Sequence, residues 1–284
     1  MKKLLFASAF AAAMLVAATT TVSAATAAAN YSHEYVSEDR PMTLDYKSVD
    51  VAKNVRLIIE DRTDGDAVVS TTADILPYVF VNIQKDKISV GINKGVRVPK
   101  DECAVEIRLP FSNRLESVSV SGASEVQILP MIKSSKFTAD VSGSSKFAAG
   151  ISTAKCTLKG SGNSTIECPV ESRNLTLNVG GGSMFTGEVN VSSKSTISLG
   201  GTSMVTISGS STNAKITAGG SSTLKASDLS IGTCNIGTKG SAVAEINCDK
   251  TLSAKAEGSS SIRYSGRCRP SSLTTKGMSR ISKL

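Results

Sequence analysis

Six cysteines are the residues whose spacing most directly predicts a chemical reaction in this sequence. Two pairs flank a glycine at similar distances along the chain: Cys156 and Cys168 around Gly162, and Cys234 and Cys248 around Gly240. A disulfide requires Cα atoms within about 7 Å of each other, which a chain folded in thin layers provides. We therefore predict one disulfide across each pair, with Cys103 and Cys268 left over. A competing bond joins Cys248 to Cys268 on the neighbouring layer.

Catalytic and metal chemistry are poorly supported. The sequence has no CxxC pair and a single histidine, His33, which we interpret as a surface residue, so we expect no metal and no cofactor. Glycoside hydrolysis needs two carboxyl groups within roughly 5 to 10 Å, and only Glu167 and Glu188 could approach that spacing. No tryptophan is present to stack on a sugar. We predict a protein that is not an enzyme and keep polysaccharide cleavage as a disfavoured alternative.

A Gly-x-Ser signature recurs through the second part of the chain at intervals of 18 to 21 residues. Its nine copies begin at Gly122, Gly143, Gly162, Gly181, Gly201, Gly220, Gly240, Gly258 and Gly277, and alanine replaces the serine once, at Ala242. Such a period indicates a solenoid. A catalytic serine column is disfavoured, because no column of histidine or lysine accompanies it.

Hydropathy around each glycine follows the alternation of a β-strand. The residues four before and four after it, such as Leu158 and Ile166 around Gly162, are apolar in all nine copies, whereas the residue three before it is never a large apolar one. Even offsets should therefore face inward and odd offsets outward. By this parity the glycine and the serine also face inward, where we expect a narrow or bent part of each layer.

A repeat of about 19 residues is too short for a helical crossover and two strands, so successive repeats should stack as parallel strands about 4.8 Å apart. We predict an all-β fold: a right-handed, single-stranded parallel β-helix, or β-solenoid, with rungs of about 19 residues. Residues 115–284 should form the regular repeats. Residues 45–114 should form irregular first rungs and a cap on the same core.

The N-terminus has the composition of an export signal. Residues 1–24 contain a basic start, an apolar stretch and a small-residue cleavage site, which is typical of a secretory signal peptide. Residues 25–44 are predicted to be a flexible leader. We therefore expect an exported protein, in the periplasm, at the outer surface or in the medium, that does not span the membrane once the signal is removed.

The net charge of +8 is concentrated toward the C-terminus. No acidic residue follows Glu257, whereas six basic ones do: Arg263, Arg267, Arg269, Lys276, Arg280 and Lys283. This end could attract an anionic envelope surface. We expect no nucleic acid partner, because export removes it and only Tyr264 interleaves the basic residues.

Outward columns beside the glycines offer a long polar face, and solenoids commonly bind ligands through such faces. The candidate binding residues are Lys146, Asn163, Thr165, Thr202, Ser221 and Thr223. The partner stays unknown at this point; a glycan, a matrix protein or an anionic envelope surface would each suit. Solvation alone also explains these side chains.

Three segments and the recurring SG-x-S or GG-x-S strands give the chain a resemblance to a known family. The segments are VDVAKNVRLIIE (49–60), LPYVFVNIQKDKISVGI (76–92) and VEIRLPFSNRLESVSVSGASEVQI (105–128). Residues 45–284 resemble the auto-transporter adhesin head domain, called the head GIN domain, of secreted proteins of Bacteroidota and relatives. The resemblance implies a parallel β-helix in an exported or surface protein and an adhesin role without known ligand residues. The usual Gly-Asn form appears once, at SGNS (161–164).

These observations lead to two functional hypotheses. The first is an exported, non-enzymatic adhesin or ligand-binding solenoid that uses the polar face. The second is a structural or envelope-assembly component that docks through the basic C-terminal end.

Overall fold

A computed structural model describes residues 35–42, 45–62, 65–93, 95 and 105–284 of the chain. The predicted signal peptide, His33 and Cys103 lie outside the described residues. The described residues belong to one unit, which is a parallel β-solenoid with rungs of about 19 residues. The predicted all-β solenoid is therefore confirmed. No helix among the described residues has the length and apolar character needed to cross a bilayer.

The regular rungs run from the strand after Gly122 to the end of the chain. Their strands are β9 (Glu125–Val141), β10 (Lys146–Gly160), β11 (Thr165–Glu167), β12 (Val170–Val179), β13 (Met184–Leu199), β14 (Met204–Ala218), β15 (Thr223–Thr238), β16 (Val243–Gly258), β17 (Ser261–Ser265), β18 (Arg269–Gly277) and β19 (Arg280–Lys283). Neighbouring rungs pair in parallel, so that residues one repeat apart are aligned, for example Leu158 with Leu177 and Leu177 with Ile197. The even-offset apolar residues line the interior as predicted.

The interior is filled by stacked apolar columns of aliphatic and aromatic side chains. Phe137 and Phe147 lie on neighbouring rungs with parallel rings whose centroids are 6.3 Å apart, and Phe185 is fully buried. Burial of such side chains contributes about 1.5–3 kcal/mol each to folding. The core therefore runs along the solenoid axis, and every rung shares it with its neighbours.

The repeated glycines form turns, which corrects the predicted inward orientation. All nine have φ between 67° and 78° and are exposed; seven lie between strands, and Gly258 and Gly277 are the last residues of β16 and β18. A Cβ on Gly162 would lie 2.6 Å from the carbonyl oxygen of Gly143 on the preceding rung. Glycine is thus required by its left-handed backbone and by close stacking of turns. The parity count failed here because it treated a turn as a continuous strand.

The serine two residues after the glycine points inward, as predicted, in seven of the nine repeats. Ser124, Ser145, Ser164, Ser183, Ser203, Ser222 and Ser260 are buried. The hydroxyl of Ser164 donates to the carbonyl oxygen of Val141 and contacts the Ser183 hydroxyl, both at 3.1 Å. These bonds lower the cost of burying hydroxyl groups beside the turn.

The first rungs stack in an order that differs from their order along the chain. Their strands are β2 (Ser48–Val51), β3 (Val55–Glu60), β4 (Asp66–Thr72), β5 (Val79–Gln84), β6 (Lys87–Ile92), β7 (Val105–Pro110) and β8 (Ser117–Val120), with a 3-10 turn at Leu76–Tyr78. β2 lies between β6 and β8, and β3 lies between β7 and β9. The rung of β2 and β3 is therefore sandwiched between β6 and β7 on one side and β8 and the start of β9 on the other.

Antiparallel strands cover this end of the solenoid. β4 pairs with β7 and with β1 (Tyr35–Pro41), while β5 pairs with β6. β1 falls inside the segment 25–44 that we predicted to be a flexible leader, and that prediction is wrong for residues 35–41. The sequence of β1 carries few apolar residues because it is an exposed edge strand, held by backbone pairing and by an Arg40 guanidinium that donates to the Val79 carbonyl oxygen at 2.7 Å.

Candidate functional site

The predicted polar face consists of two columns on either side of the buried serines. Asn163, Thr202 and Ser221 are exposed turn residues directly after a glycine, and each backbone N–H donates to the rung before, at 2.7–2.8 Å. Lys146 and Thr165 begin the second column and are aligned with each other. The predicted residues therefore share one side of the solenoid.

The second column is not continuously polar. Its members are aligned in the order Lys146, Thr165, Met184, Met204 and Thr223. Met184, which is 43% exposed, and Met204 lie between Thr165 and Thr223. The prediction selected the polar members of the column and left out these two apolar ones. The structure thus places the predicted residues on one face without joining them into one polar strip.

A groove on the other side of the glycine turns is a better candidate binding site than the predicted polar face, because its polar column is continuous. It has a volume of about 480 Å³ and runs across several rungs. Its lining residues, which we call the glycine groove, are Asp140, Lys159, Gly160, Ser161, Asn178, Val179, Gly180, Ser198, Leu199 and Gly200. One wall is a column of aligned polar residues, in the order Asp140, Lys159, Asn178 and Ser198. Sequence reasoning recognised this column as outward-facing and did not single it out.

Missing side chains create the space in the glycine groove. A Cβ on Gly200 would meet no protein atom within 4 Å, and one on Gly180 would meet only a carbonyl oxygen at 3.9 Å. Neither glycine has a positive φ, so the backbone does not require glycine there. The open floor beside Val179 and Leu199 is therefore a property of side-chain choice and not of backbone strain.

The wall of the glycine groove has unused hydrogen-bonding groups. Within the part of the chain that the structure describes, the side chains of Asn178 and Ser198 have no hydrogen-bond partner, and Asp140 and Lys159 form no ion pair. All four side chains are exposed or half-buried. Carboxylate, ammonium, amide and hydroxyl groups thus stand in line, one per rung, above an apolar floor.

A second groove, of about 430 Å³, lies at another corner of the rungs. Its lining, which we call the hydroxyl groove, includes Asn190, Ser210, Thr212, Ser230 and Asp249. Here the polar groups satisfy one another: the Ser210 hydroxyl donates to Asn190 Oδ1 at 2.8 Å, and the Ser230 hydroxyl donates to Asp249 Oδ2 at 2.7 Å. This internal bonding leaves fewer groups for a ligand than in the glycine groove.

The two carboxylates considered for catalysis lie on neighbouring strands. Glu167 is aligned with Thr186, so Glu188 lies two positions further along the neighbouring strand. Glu188 accepts a hydrogen bond of 3.2 Å from the Asn190 amide, and both glutamates are exposed. Among the described residues no group of three or more His, Cys, Asp or Glu side chains could hold a metal.

All five described cysteines are buried free thiols: Cys156, Cys168, Cys234, Cys248 and Cys268. The two predicted disulfides, Cys156–Cys168 and Cys234–Cys248, are thus not formed in the structure. Burial raises the pKa of the Cys156 thiol to about 12, and it also raises the pKa of Cys168, whose thiol is near that of Cys156. Such thiols are protonated and poorly reactive at neutral pH, so neither Cys156 nor Cys168 is a candidate nucleophile.

Comparisons with solved structures agree with this fold. A "putative adhesin" from Parabacteroides distasonis superposes with a TM-score of 0.68 at 16% identity, over 89% of this chain and 98% of that one. A "putative adhesin" from Parabacteroides merdae gives 0.63 at 16% identity, over 89% and 97%. A "putative lipid binding protein" from Parabacteroides distasonis gives 0.64 at 14% identity, over 89% and 98%. At these identities the likeness shows the fold alone.

A comparison with curated proteins gives no match. The family described as "Putative auto-transporter adhesin, head GIN domain" matches residues 45–188 and 154–268. These two matches overlap and together span most of the solenoid, from its first rung to the rung of Cys268. They confirm the resemblance that the sequence motifs indicated. The chain belongs to the head GIN domain family.

Proposed function

We propose that this protein is an exported, non-enzymatic adhesin that binds an extended glycan chain along the glycine groove. The single observation that carries the proposal is the line of unpaired polar side chains, one per rung, beside an open floor at Gly180 and Gly200. Rungs about 4.8 Å apart match the length of one sugar unit in an extended chain. Hydroxyl-rich ligands would use the amide and hydroxyl groups, and the carbon faces of the rings would lie on the open backbone at Gly180 and Gly200.

The family description and the N-terminal sequence support a protein that acts outside the cell. The family description names an adhesin, and residues 1–24 have the composition of a secretory signal peptide. An adhesin acts outside the cell, where glycans of other cells and of the matrix are accessible. One structural neighbour is named as lipid binding, and the apolar floor makes an acyl chain a competing ligand that the test must separate from a glycan.

The test is binding of the full chain to an array of glycans, with an acyl-chain fluorescence assay in parallel. Gly200→Leu fills the groove without a backbone clash, and Asn178→Ala removes one wall group. Each should weaken the glycan signal about tenfold or more, the equivalent of one lost hydrogen bond or more. Thr202→Ala, on the predicted polar face, and Ser210→Ala, in the hydroxyl groove, are matched controls that should bind like the wild type.

Equal binding by all four variants would contradict the groove as the site. Binding of acyl chains without any glycan, lost in Gly200→Leu, would replace the glycan by a lipid ligand. Loss of binding in Thr202→Ala alone would return the site to the predicted polar face.

The basic C-terminal rung supports a second candidate function, as an envelope-assembly component. All nine residues of β18 are exposed, and Arg269, Lys276, Arg280 and Lys283 on the last two strands form no salt bridge with any residue that the structure describes. Such a surface favours anionic partners at low ionic strength. Neutral substitutions at these four positions should change the location of the protein and leave glycan binding intact. Normal location of that variant would count against this candidate.

A further inference from the structure

Three buried thiols lie close together near the last rungs of the solenoid. Cys234 is on β15, Cys248 is on β16, and Cys268 directly precedes β18. Their exposed fractions are 1%, 0% and 8%. No other part of the described chain brings three cysteines together, and neither the family nor the proposed function gives them a role.

The backbone contacts single out one pair among the three. The N–H of Cys268 donates to the carbonyl oxygen of Cys248 at 3.0 Å, so the two residues lie on adjacent rungs. The register on either side aligns Asn247 with Ser265 and Thr251 with Arg269, so the two cysteines are offset along their strands. The backbone hydrogen bond at this corner brings their Cα atoms near the range of roughly 4.4 to 6.8 Å that disulfides span. Cys234 is instead aligned with Leu252, so it lacks this direct contact with Cys248.

The side chains give the same selection. The Cys268 side chain lies against the Cys248 thiol and raises its pKa, whereas Cys234 approaches the Cys248 sulfur with its backbone N–H. The sulfur of Cys248 also lies 3.3 Å from the Thr251 carbonyl oxygen, which holds it at the corner of the rung. Both thiols point into the solenoid and are unlinked in the structure.

We propose that Cys248 and Cys268 form a structural disulfide that joins adjacent rungs when the protein folds in an oxidising compartment. This choice replaces the Cys234–Cys248 bond that the sequence spacing predicted. The occurrence of the bond in the cell rests on the export included in the proposed function. The capacity to form it rests only on the geometry of these two residues.

The reaction is thiol–disulfide exchange with a disulfide-bearing oxidant, such as an exported oxidoreductase or, in the test, oxidised glutathione. One cysteine thiolate attacks a sulfur of the oxidant, which gives a mixed disulfide and releases one thiol. The second cysteine thiolate then attacks the mixed disulfide, forms the Cys248–Cys268 bond and releases the second thiol. The two cysteines lose two protons and two electrons, and the oxidant disulfide gains both.

The disulfide must form before the core around these two thiols is complete. Burial and the neighbouring thiol raise the pKa of Cys248 to about 11, so the finished reduced fold holds very little thiolate at neutral pH. The exchange therefore takes place while the rung of Cys268 is docking and water still reaches the sulfur atoms. Once formed, the bond links β16 to the segment that directly precedes β18. All nine residues of β18 are exposed.

The test is refolding of the full chain with a mixture of reduced and oxidised glutathione, followed by alkylation and peptide mapping without reductant. We expect a linked peptide that contains Cys248 and Cys268. The oxidised wild type should have a Tm roughly 6–12 °C above that of the same protein refolded in reductant, as expected for a loop of this length in a domain of this size. The double variant Cys248→Ser/Cys268→Ser should show no such difference between the two conditions.

The matched control is Cys156→Ser/Cys168→Ser, which should keep both the linked peptide and the Tm difference. Alkylation of both Cys248 and Cys268 after oxidative refolding would overturn the proposal, and so would a peptide linking Cys248 to Cys234. Peptide mapping of the wild type decides the matter even if a serine variant does not fold. A failed glycan assay would leave this result unaffected, because refolding in glutathione does not depend on ligand or export.

Discussion

Two neighbouring glycines show that the same residue type serves two different purposes in this chain. Gly201 has a φ of +68°, and a Cβ there would lie 2.6 Å from the Gly181 carbonyl oxygen. Gly200, one residue earlier, has no positive φ, and a Cβ there meets open space. The first glycine is needed by the backbone of the turn, whereas the second leaves room in the glycine groove. Substitution can separate the two purposes.

Gly201→Ala should destabilise the protein by about 2 kcal/mol or more, because it adds a steric clash to a strained backbone. Gly200→Ala should change the free energy of unfolding by less than about 0.5 kcal/mol. Urea unfolding followed by circular dichroism measures both. Equal effects of the two substitutions would contradict the assignment of the turn to Gly201.

A buried thiol predicts how stability depends on pH. Burial raises the pKa of Cys156 to about 12, from an ordinary value of 9.0. Between these values the unfolded chain loses the proton and the folded chain keeps it, so stability is retained below pH 9 and falls as the pH rises above it. At pH 10 the loss is about 1 kcal/mol for this thiol.

The measurement is the urea midpoint of the reduced protein between pH 8 and pH 10.5. Cys156→Ser should give a shallower decline than the wild type, whatever its stability at pH 8. Parallel curves for the two proteins would show that Cys156 is not protonated and buried in the folded state.

At the scale of the element, the column of buried serines is not uniform. Ser164 donates to Val141 and contacts Ser183, whereas the hydroxyls of Ser203 and Ser222 are buried without a hydrogen-bond partner in the described part of the chain. The column is thus bonded at Ser164 and again at Ser260, whose hydroxyl donates to the Glu257 carbonyl oxygen at 2.9 Å, and is only packed at Ser203 and Ser222. Its members should contribute unequally to stability.

Ser164→Ala should cost about 1 kcal/mol, because it removes the hydrogen bonds of a buried hydroxyl to Val141 and Ser183. Ser203→Ala removes a buried hydroxyl that has no such bond and should be neutral or stabilising. Chemical denaturation of the two variants gives the comparison. A larger loss for Ser203→Ala than for Ser164→Ala would mean that the later rungs bond their serines in another way.

The regular rungs could be predicted from the sequence because each of their columns repeats nine times. Leu158, Leu177 and Ile197 report the same inward position, so one ambiguous residue does not change the result. The strand β1 had no such support: residues 35–41 are mostly polar, and what holds them is the edge of β4. Backbone pairing at a sheet edge leaves no hydropathy pattern, which is why this segment was taken for a leader.

The candidate site was harder to predict than the fold. The polar residues chosen from the sequence, such as Thr165 and Thr223, are on one face but separated by Met184 and Met204. The glycine groove depends on which residues lack a side chain and which polar groups lack a partner. Both properties depend on contacts between rungs and not on the alternation of residues along a strand.

At the scale of the molecule, the solenoid is a sum of similar layers. Each rung contacts mainly the rungs before and after it, through in-register parallel strands. Stability in such folds is approximately additive over repeats and their interfaces. The length of the repeated part should therefore tolerate change in units of one rung.

Deletion of residues 201–219 removes one rung and joins Gly200 to Gly220, which keeps every column in phase. This variant should fold and unfold cooperatively, with a moderate loss of stability. Deletion of residues 201–210 removes about half a rung and displaces the following columns, so it should abolish folding. Circular dichroism and the urea midpoint distinguish the two results, and a folded half-rung variant would contradict in-register stacking.

The order of the first rungs has a consequence for how the molecule is assembled during synthesis. Of the parallel strands, β2 and β3 emerge first, yet they become the second layer, because β6 and β7 cover one side of them before β8 and the start of β9 cover the other. The antiparallel strands β1, β4 and β5 then block further addition on the covered side. The first rungs thus form a nucleus with one capped face. Every later repeat adds to the single open face, as subunits add to a filament that elongates in one direction.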